Sequence, residues 1–360
     1  MQNNQVIPFN KENFKQIFSI KFLLVLVVSF PSALIADFFN LPLAWFLGPM
    51  LATSLAALLG LKVKIPRLVL SLILILLGLY IGNYIDANLF SQIHEWALTS
   101  TIMLFYILIS IFIVSKYLQK YSNYEKKTSI FSAAPGALGP LMILAEDQKT
   151  DLSHVATSHL IRLIVIVTLF PFFVDSYYNL EPTDKIIHQV SEQNEFDLVL
   201  MIILSVILIL VFNKIKFPAA LLSGTLVASG FLQIMDIASY QISSDVVDYC
   251  LLILGASVGC RFADKTFEEI GKNAFHSLIA TFLLVFLGLV AAYVASLVIE
   301  KNIFSLILSY CPGGIYEVAV IAIFFDLDPE FVSFHHIIRL LMILFVVPLI
   351  LKIINKTKSF

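Results

Sequence analysis

Most of the residues able to do chemistry in this chain sit at two short interruptions and on the segments that follow them. Ser132-Ala-Ala-Pro135-Gly136-Ala137 returns 177 residues later as Ser309-Tyr-Cys-Pro312-Gly313-Gly314. Proline withholds an amide proton and glycine loosens the backbone, so a helix opens at each site and leaves carbonyls and amides without partners. In lipid, such groups persist only inside protein or against a watery cavity. A helix restarting beyond the opening aims its positive N-terminal end at whatever sits there, which favours an anion. The alternative is a packing kink with close backbone approach and no ligand. Two breaks at equivalent positions favour the ligand.

Behind each break runs a stripe of repeated residues. Asp151, Val155, His159, Arg162 and Ile166 recur as Asp328, Val332, His336, Arg339 and Ile343, and their spacing puts them on one helical face. Arg162 lies about ten residues into its apolar run, roughly 15 Å deep at 1.5 Å per residue, and Arg339 is equally deep. A mid-bilayer arginine costs at least about 2.5–3.5 kcal/mol, so both must face the interior with partners. Two readings stay open: the arginines hold an anionic substrate or coupling carboxylate, or they donate to carbonyls freed at the breaks. His159 and His336, one turn earlier, either titrate or simply hydrogen-bond. Glu317 follows the second break, where the first half has Pro140. It is either a coupling carboxylate at membrane depth or a helix cap.

The elements that position these residues read as membrane helices. Of 360 residues, 59% are hydrophobic and 13% charged, and the mean hydropathy is +0.92; soluble domains run near half apolar and about a quarter charged. Lys+Arg 23 against Asp+Glu 25 provides no basic field for nucleic acid. A crossing takes about 20 apolar residues. Apolar runs fall near 17–37, 41–60, 66–83, 96–118, 153–174, 198–213, 217–235, 247–260, 274–299 and 331–352, with shorter ones at 130–145 and 304–325. The first resembles a signal peptide in its flanks, but its internal counterpart at 198–213 argues for a permanent helix.

Basic loops mark the cytoplasmic side. Lys11, Lys15 and Lys21, then Lys62, Lys64 and Arg67, then Lys116 to Lys127 fall inside, while Asp37, Asp86, Glu95 and the acid-rich 175–197 fall outside. That alternation works only if 130–145 is re-entrant. The second half behaves alike, with Lys214, Lys216, Arg261, Lys265 and Lys272 inside, Glu300, Asp326 and Asp328 outside, and Lys352 to Lys358 inside.

The duplication extends upstream. Gly78 and Gly82 match Gly255 and Gly259 at the same 177 spacing, and Pro42, Ala44 and Gly48 match Pro218, Ala220 and Gly224 at 176. A repeat with an odd number of crossings must invert in its second copy, the plan of many secondary transporters. The expectation is an all-α polytopic membrane protein of about ten transmembrane helices plus two re-entrant or broken helices, in two inverted five-span repeats. Residues 1–16 form a cytoplasmic tail, 17–174 the first repeat, 175–197 an external linker, 198–352 the second repeat and 353–360 a cytoplasmic tail.

Other chemistry lacks residues. Cys250, Cys260 and Cys311 form no CxxC, and the remaining histidines, His335 among them, make no HExxH or di-iron pattern, so no metal, cofactor or enzymatic activity is expected. Nucleotide and nucleophile-elbow motifs are absent. Trp45 and Tyr310 read as interfacial anchors.

The chain resembles the bacterial AbrB-type membrane protein family, which is unrelated to the small DNA-binding regulator of that name. Leu41-Pro-Leu-Ala-Trp-Phe-Leu-Gly48-Pro49 carries the resemblance, with Ser132-Ala-Ala-Pro-Gly-Ala137 and His159-x-x-Arg162, then Cys311-Pro-Gly-Gly314 and His336-x-x-Arg339. It covers nearly everything after the first twenty or so residues. Ala137 departs from the Pro-Gly-Gly pattern. The resemblance implies a duplicated inner-membrane protein, with a regulatory role attached to some members and an ammonia monooxygenase label that finds no ligand set here. The leading expectation is a secondary transporter of a small anionic solute, both termini cytoplasmic, its site formed by Pro135, Gly136, Ala137, His159, Arg162, Pro312, Gly313, Gly314, Glu317, His336 and Arg339. The alternatives are a membrane regulator or sensor and, behind it, a membrane monooxygenase. Partners are the lipid bilayer and the solute, not nucleic acid; a homo-oligomer is compatible with the sequence.

Overall fold

A computed structural model describes residues 11–83, 93–136, 138–148, 150–178, 194–215, 217, 219–240, 242–263 and 265–357. Ala137, Asp86, Lys216, Pro218, Lys358, the first ten residues and most of the 175–197 linker lie outside the described residues. The described chain is helical throughout, as expected for an all-α polytopic membrane protein. Its helices are α1 (Lys11–Ile17), α2 (Ile20–Phe38), α3 (Ala44–Leu58), α4 (Arg67–Gly82), α5 (Ile93–Tyr121), α6 (Lys126–Ala133), α7 (Leu138–Asp147), α8 (Leu152–Tyr178), α9 (Glu195–Lys214), α10 (Ala220–Ile234), α11 (Ser244–Cys260), α12 (Phe267–Ser296), α13 (Ile303–Tyr310), α14 (Ile315–Phe324) and α15 (Pro329–Thr357).

Six of these, α2, α5, α8, α9, α12 and α15, are long and apolar enough to cross a membrane by length and composition. Helices α3, α4, α10 and α11 have 15–17 residues. At 1.5 Å per residue they run about 22–26 Å, short of a hydrocarbon core about 30 Å thick. Sequence counting treats them as full crossings because flanking apolar residues lengthen the runs.

The helices group into two compact units. Each draws on both halves of the sequence, so neither unit coincides with a repeat. The first unit holds α1–α4 and α9–α11; its core is made by exchange between halves. Glycines of α4 meet small residues of α10, with Gly78 against Leu222 and Thr225, and Gly82 against Leu226 and Ser229. Correspondingly, Gly255 of α11 meets Phe46 and Gly259 meets Thr53 and Ser54 of α3. Both pairs advance in the same direction. In each case a Cβ would overlap the neighbour, so glycine is what lets the backbones approach. Ser229 Oγ donates to Leu79 O (3.0 Å) and Thr53 Oγ1 to Ala256 O (3.3 Å), tying the pairs by counterpart bonds. Helices α3 and α10 also begin alike: Leu43 and Ala219 precede them in the left-handed region, each at φ 51°. The end of α10 and the approach to α11 pack together, since Leu79, Leu232 and Ala238 cluster with Tyr240 and Ile242.

The second unit holds α5–α7, most of α8, and α12–α15. Helices α5 and α12 lie side by side in opposite directions: Tyr106 Oη donates to Leu284 O (3.3 Å), and Tyr117 Oη meets His276 Nδ1 (3.0 Å). Helix α15 runs along α5 in the same direction, Trp96 beside Phe331 and Thr99 bonded to His335.

The glycine exchange gives a test. Gly255→Ala drives a methyl into the Phe46 carbonyl and is expected to destabilise the purified protein by about 1–3 kcal/mol. Gly271→Ala, with nothing within 4 Å of the new methyl, is expected to stay within about 1 kcal/mol or to stabilise its exposed helix. Thermal unfolding in detergent measures both.

Candidate functional site

Two broken segments occupy the second unit. Helix α6 has eight residues, opens at Ala134-Pro135-Gly136, and is followed by α7 with ten; α13, also eight, opens at Cys311-Pro312-Gly313-Gly314 and is followed by α14 with ten. The residues closing the first helix of each pair match closely, Ala134 at φ −60°, ψ 126° and Cys311 at φ −59°, ψ 128°. In both, the glycine N–H turns back onto the carbonyl two residues earlier, Gly136 to Ala134 O and Gly313 to Cys311 O.

The ends of each broken segment come together. Asp151 N–H donates to Thr128 Oγ1 (3.2 Å) and Lys127 Nζ to Gln148 Oε1 (3.4 Å). In the second half Ser305 Oγ donates to Asp328 Oδ2 (2.7 Å), and Lys301 pairs with Asp328 at 2.8 Å. Thr128 and Ser305 are 177 apart, as are Asp151 and Asp328, so the duplicated aspartates clasp duplicated hydroxyl residues. Partial burial raises the Asp151 carboxyl, but hydrogen bonds from the His154 N–H and ring outweigh it and hold the group below its usual value.

At the breaks stand the arginines. Arg162 Nη1 donates to Ala134 O (2.6 Å) and Nη2 to Ser132 O (2.5 Å). Arg339 Nη1 donates to Cys311 O, and Nη2 to Gly313 O (2.7 Å). Each therefore satisfies carbonyls that its own break sets free, the structural reading of the pair. Arg339 also reaches the other break: a Cβ on Gly136, which has φ +115°, would lie 3.0 Å from Arg339 Nη2. Both guanidiniums lie near Tyr106. Arg162 is 2% and Arg339 3% exposed, and among the described residues neither meets a carboxylate. Two buried positive charges thus converge with only carbonyl dipoles as partners, an arrangement that burial makes costly without a counter-charge.

The histidines part company. His159 Nε2 donates to Phe131 O (3.0 Å), whereas His336 turns its Nδ1 to Val332 O (3.0 Å) on its own helix. Glu317, 1% exposed, occupies the third position of α14 and folds its carboxylate back over Gly314, where a Cβ would overlap it. This is the capping alternative, a carboxylate at a helix N-terminus. It gives the second break's glycine a reason, since Gly314 leaves the space that the Glu317 carboxylate fills.

Pro135, Gly136, His159, Arg162, Pro312, Gly313, Gly314, Glu317, His336 and Arg339 all gather at or beside the breaks, while Ala137 lies outside the described residues. Tyr310 is no interfacial anchor. It is fully buried, donates to Thr99 O (2.7 Å) and stacks edge-on against Tyr106. His335 is likewise interior, bonded to Thr99 Oγ1 at 2.7 Å and to Phe331 O. Sequence reasoning misses Tyr106 because its counterpart is Leu283.

The fold and the paired breaks define a polytopic membrane protein built on a duplicated broken-helix core. Residues 45–355 match the family described as transition state regulatory protein AbrB, and the chain belongs to that family. It is 21% identical over 361 residues to "Uncharacterized protein YhjN" of Bacillus subtilis strain 168, covering 91% of this chain and 92% of the relative. It is 22% identical over 319 residues to "Putative regulator AbrB" of Escherichia coli K12, covering 88% and 91%. No solved structure matches.

Gly314→Ala is expected to displace the Glu317 carboxylate and destabilise by about 1–3 kcal/mol. The double variant Gly314→Ala/Glu317→Pro, which copies the first half, is expected to lose less than the sum of its single changes in thermal unfolding.

Proposed function

We propose that this protein is a secondary carrier for a small anionic solute in the bacterial inner membrane, with both termini cytoplasmic, and that its two halves are inverted repeats. The observation that carries the reading is the meeting of two buried guanidiniums, neither paired with a carboxylate among the described residues, at two broken helices. A centre with uncompensated positive charge and open backbone suits an anion that enters and leaves.

Helix directions support the inversion. The counterparts α5 and α12 run antiparallel along each other. Helix α4 runs parallel to α10 and α3 parallel to α11. The cluster at Leu232, Ala238 and Ile242 starts α11 where α10 ends, so α10 opposes its own counterpart α3. The clasped ends of both broken segments support re-entrant loops, since a segment that crosses would part its ends. Short loops leave little surface for partner contacts, which favours a carrier over a regulator. A regulatory reading draws on the family description and on the name of the Escherichia coli relative.

Single cysteines in a cysteine-free background test the inversion. Phe39→Cys, after α2, is expected to react with an impermeant maleimide from the periplasm, and its opposite number Ile215→Cys, after α9, only after permeabilisation. Labelling of both from one side contradicts the inversion. Flux of a broad anion panel into proteoliposomes tests the carrier; no movement of any anion favours the regulator.

A further inference from the structure

We propose that the solute is a small monocarboxylate held at the first break, by Arg162 and Ser132, and not at the second. The proposal deepens the carrier reading and takes from it that an anion occupies this centre.

Charge sets the valence. Arg162 and Arg339 bring two positive charges to the breaks, and Glu317 is the one buried carboxylate among the described residues. Its carboxylate covers Gly314, so the second break carries an anion of its own at the start of α14. One positive charge is left over. A monoanion neutralises it, and a dianion overshoots.

Unspent donors set the place. Ser132 Oγ is fully buried without a partner, and Arg162 Nε is likewise unpartnered. The two residues are joined by the bond from Arg162 Nη2 to Ser132 O, so both donors belong to the first break. At the second break the counterpart hydroxyl, Ser309 Oγ, is already used on Ser305 O (2.8 Å), and the idle atom there, His336 Nε2, is an acceptor while Nδ1 donates to Val332 O, so it offers an anion no proton. Buried donors of this kind are costly to leave idle. A guanidinium N–H and a serine O–H at one break match two oxygens sharing one negative charge. A carboxylate fits that pattern; a halide offers a single point, and sulfate, like the doubly ionised form of phosphate, brings a second charge.

The test uses full-length protein in detergent and thermal stabilisation at constant ionic strength, with acetate, pyruvate and lactate against succinate, sulfate, phosphate and chloride. The monocarboxylates are expected to stabilise and the others not. Ser132→Ala removes a buried unpaired hydroxyl, so its ligand-free form should be at least as stable as the wild type, while its monocarboxylate affinity falls about tenfold. Glu317→Gln leaves two uncompensated charges and is expected to shift preference toward succinate. Stabilisation by sulfate, phosphate, chloride or succinate equal to that by the monocarboxylates overturns the proposal, as does undiminished affinity in Ser132→Ala. Proteoliposome flux separates this from the carrier reading. Monocarboxylate binding without flux keeps the site and defeats the carrier, whereas flux unaffected by Ser132→Ala keeps the carrier and defeats the site.

Discussion

A guanidinium removed from water needs its N–H groups taken up, and a helix broken by proline and glycine leaves carbonyls that need donors. In this protein each requirement meets the other. Arg162 takes Ser132 O and Ala134 O; Arg339 takes Cys311 O and Gly313 O. Both partners are fixed by the duplicated sequence, so the bonds form within each half. What hydrogen bonding leaves unsettled is charge. Two cations in a buried centre with one nearby carboxylate, Glu317, remain out of balance, and the functional reading grows from that imbalance.

The helices of each unit are held by close contacts of their own. In the first unit, Gly78 and Gly82 of one half receive the small residues of α10, while Gly255 and Gly259 of the other receive those of α3. Small residues allow backbones to approach closely where lipid supplies no hydrophobic drive. In the second unit, the antiparallel pair α5 and α12 carries Tyr106 to both arginines, and Asp151 and Asp328 close the entrances of their broken segments. Departures from equivalence fall at the site. Gly136 alone of the break glycines has positive φ, the histidines choose different acceptors, and Ser132 lacks the bond that Ser309 makes. The two breaks are therefore similar but not equivalent in their polar groups.

Much of this was legible beforehand. The spacing from Asp151 to Ile166 assigns one face to the arginines, and duplication singles out the breaks, because identical residues recur at one offset across an otherwise variable apolar background. Periodicity assigns faces but not acceptors, so it leaves ligand binding and carbonyl pinning equally open for the arginines. Tyr106 escaped because Leu283 stands opposite it in the repeat. Tyr310 was misplaced because a tyrosine near a helix end reads as an anchor, while here the helix end lies inside the protein at the break. The short helices α3, α4, α10 and α11 read as full crossings in the sequence because hydropathy runs on through their turns.

Hydrogen exchange measured by mass spectrometry on Arg162→Lys and Arg339→Lys tests the mutual dependence of guanidinium and break most directly, since lysine keeps the charge and loses the two-pronged donation. Arg162→Lys should accelerate exchange in peptides spanning 130–147 while leaving 308–324 protected. Arg339→Lys should accelerate both, because its guanidinium also lies against Gly136. Unchanged exchange at both breaks in the two variants would contradict the account.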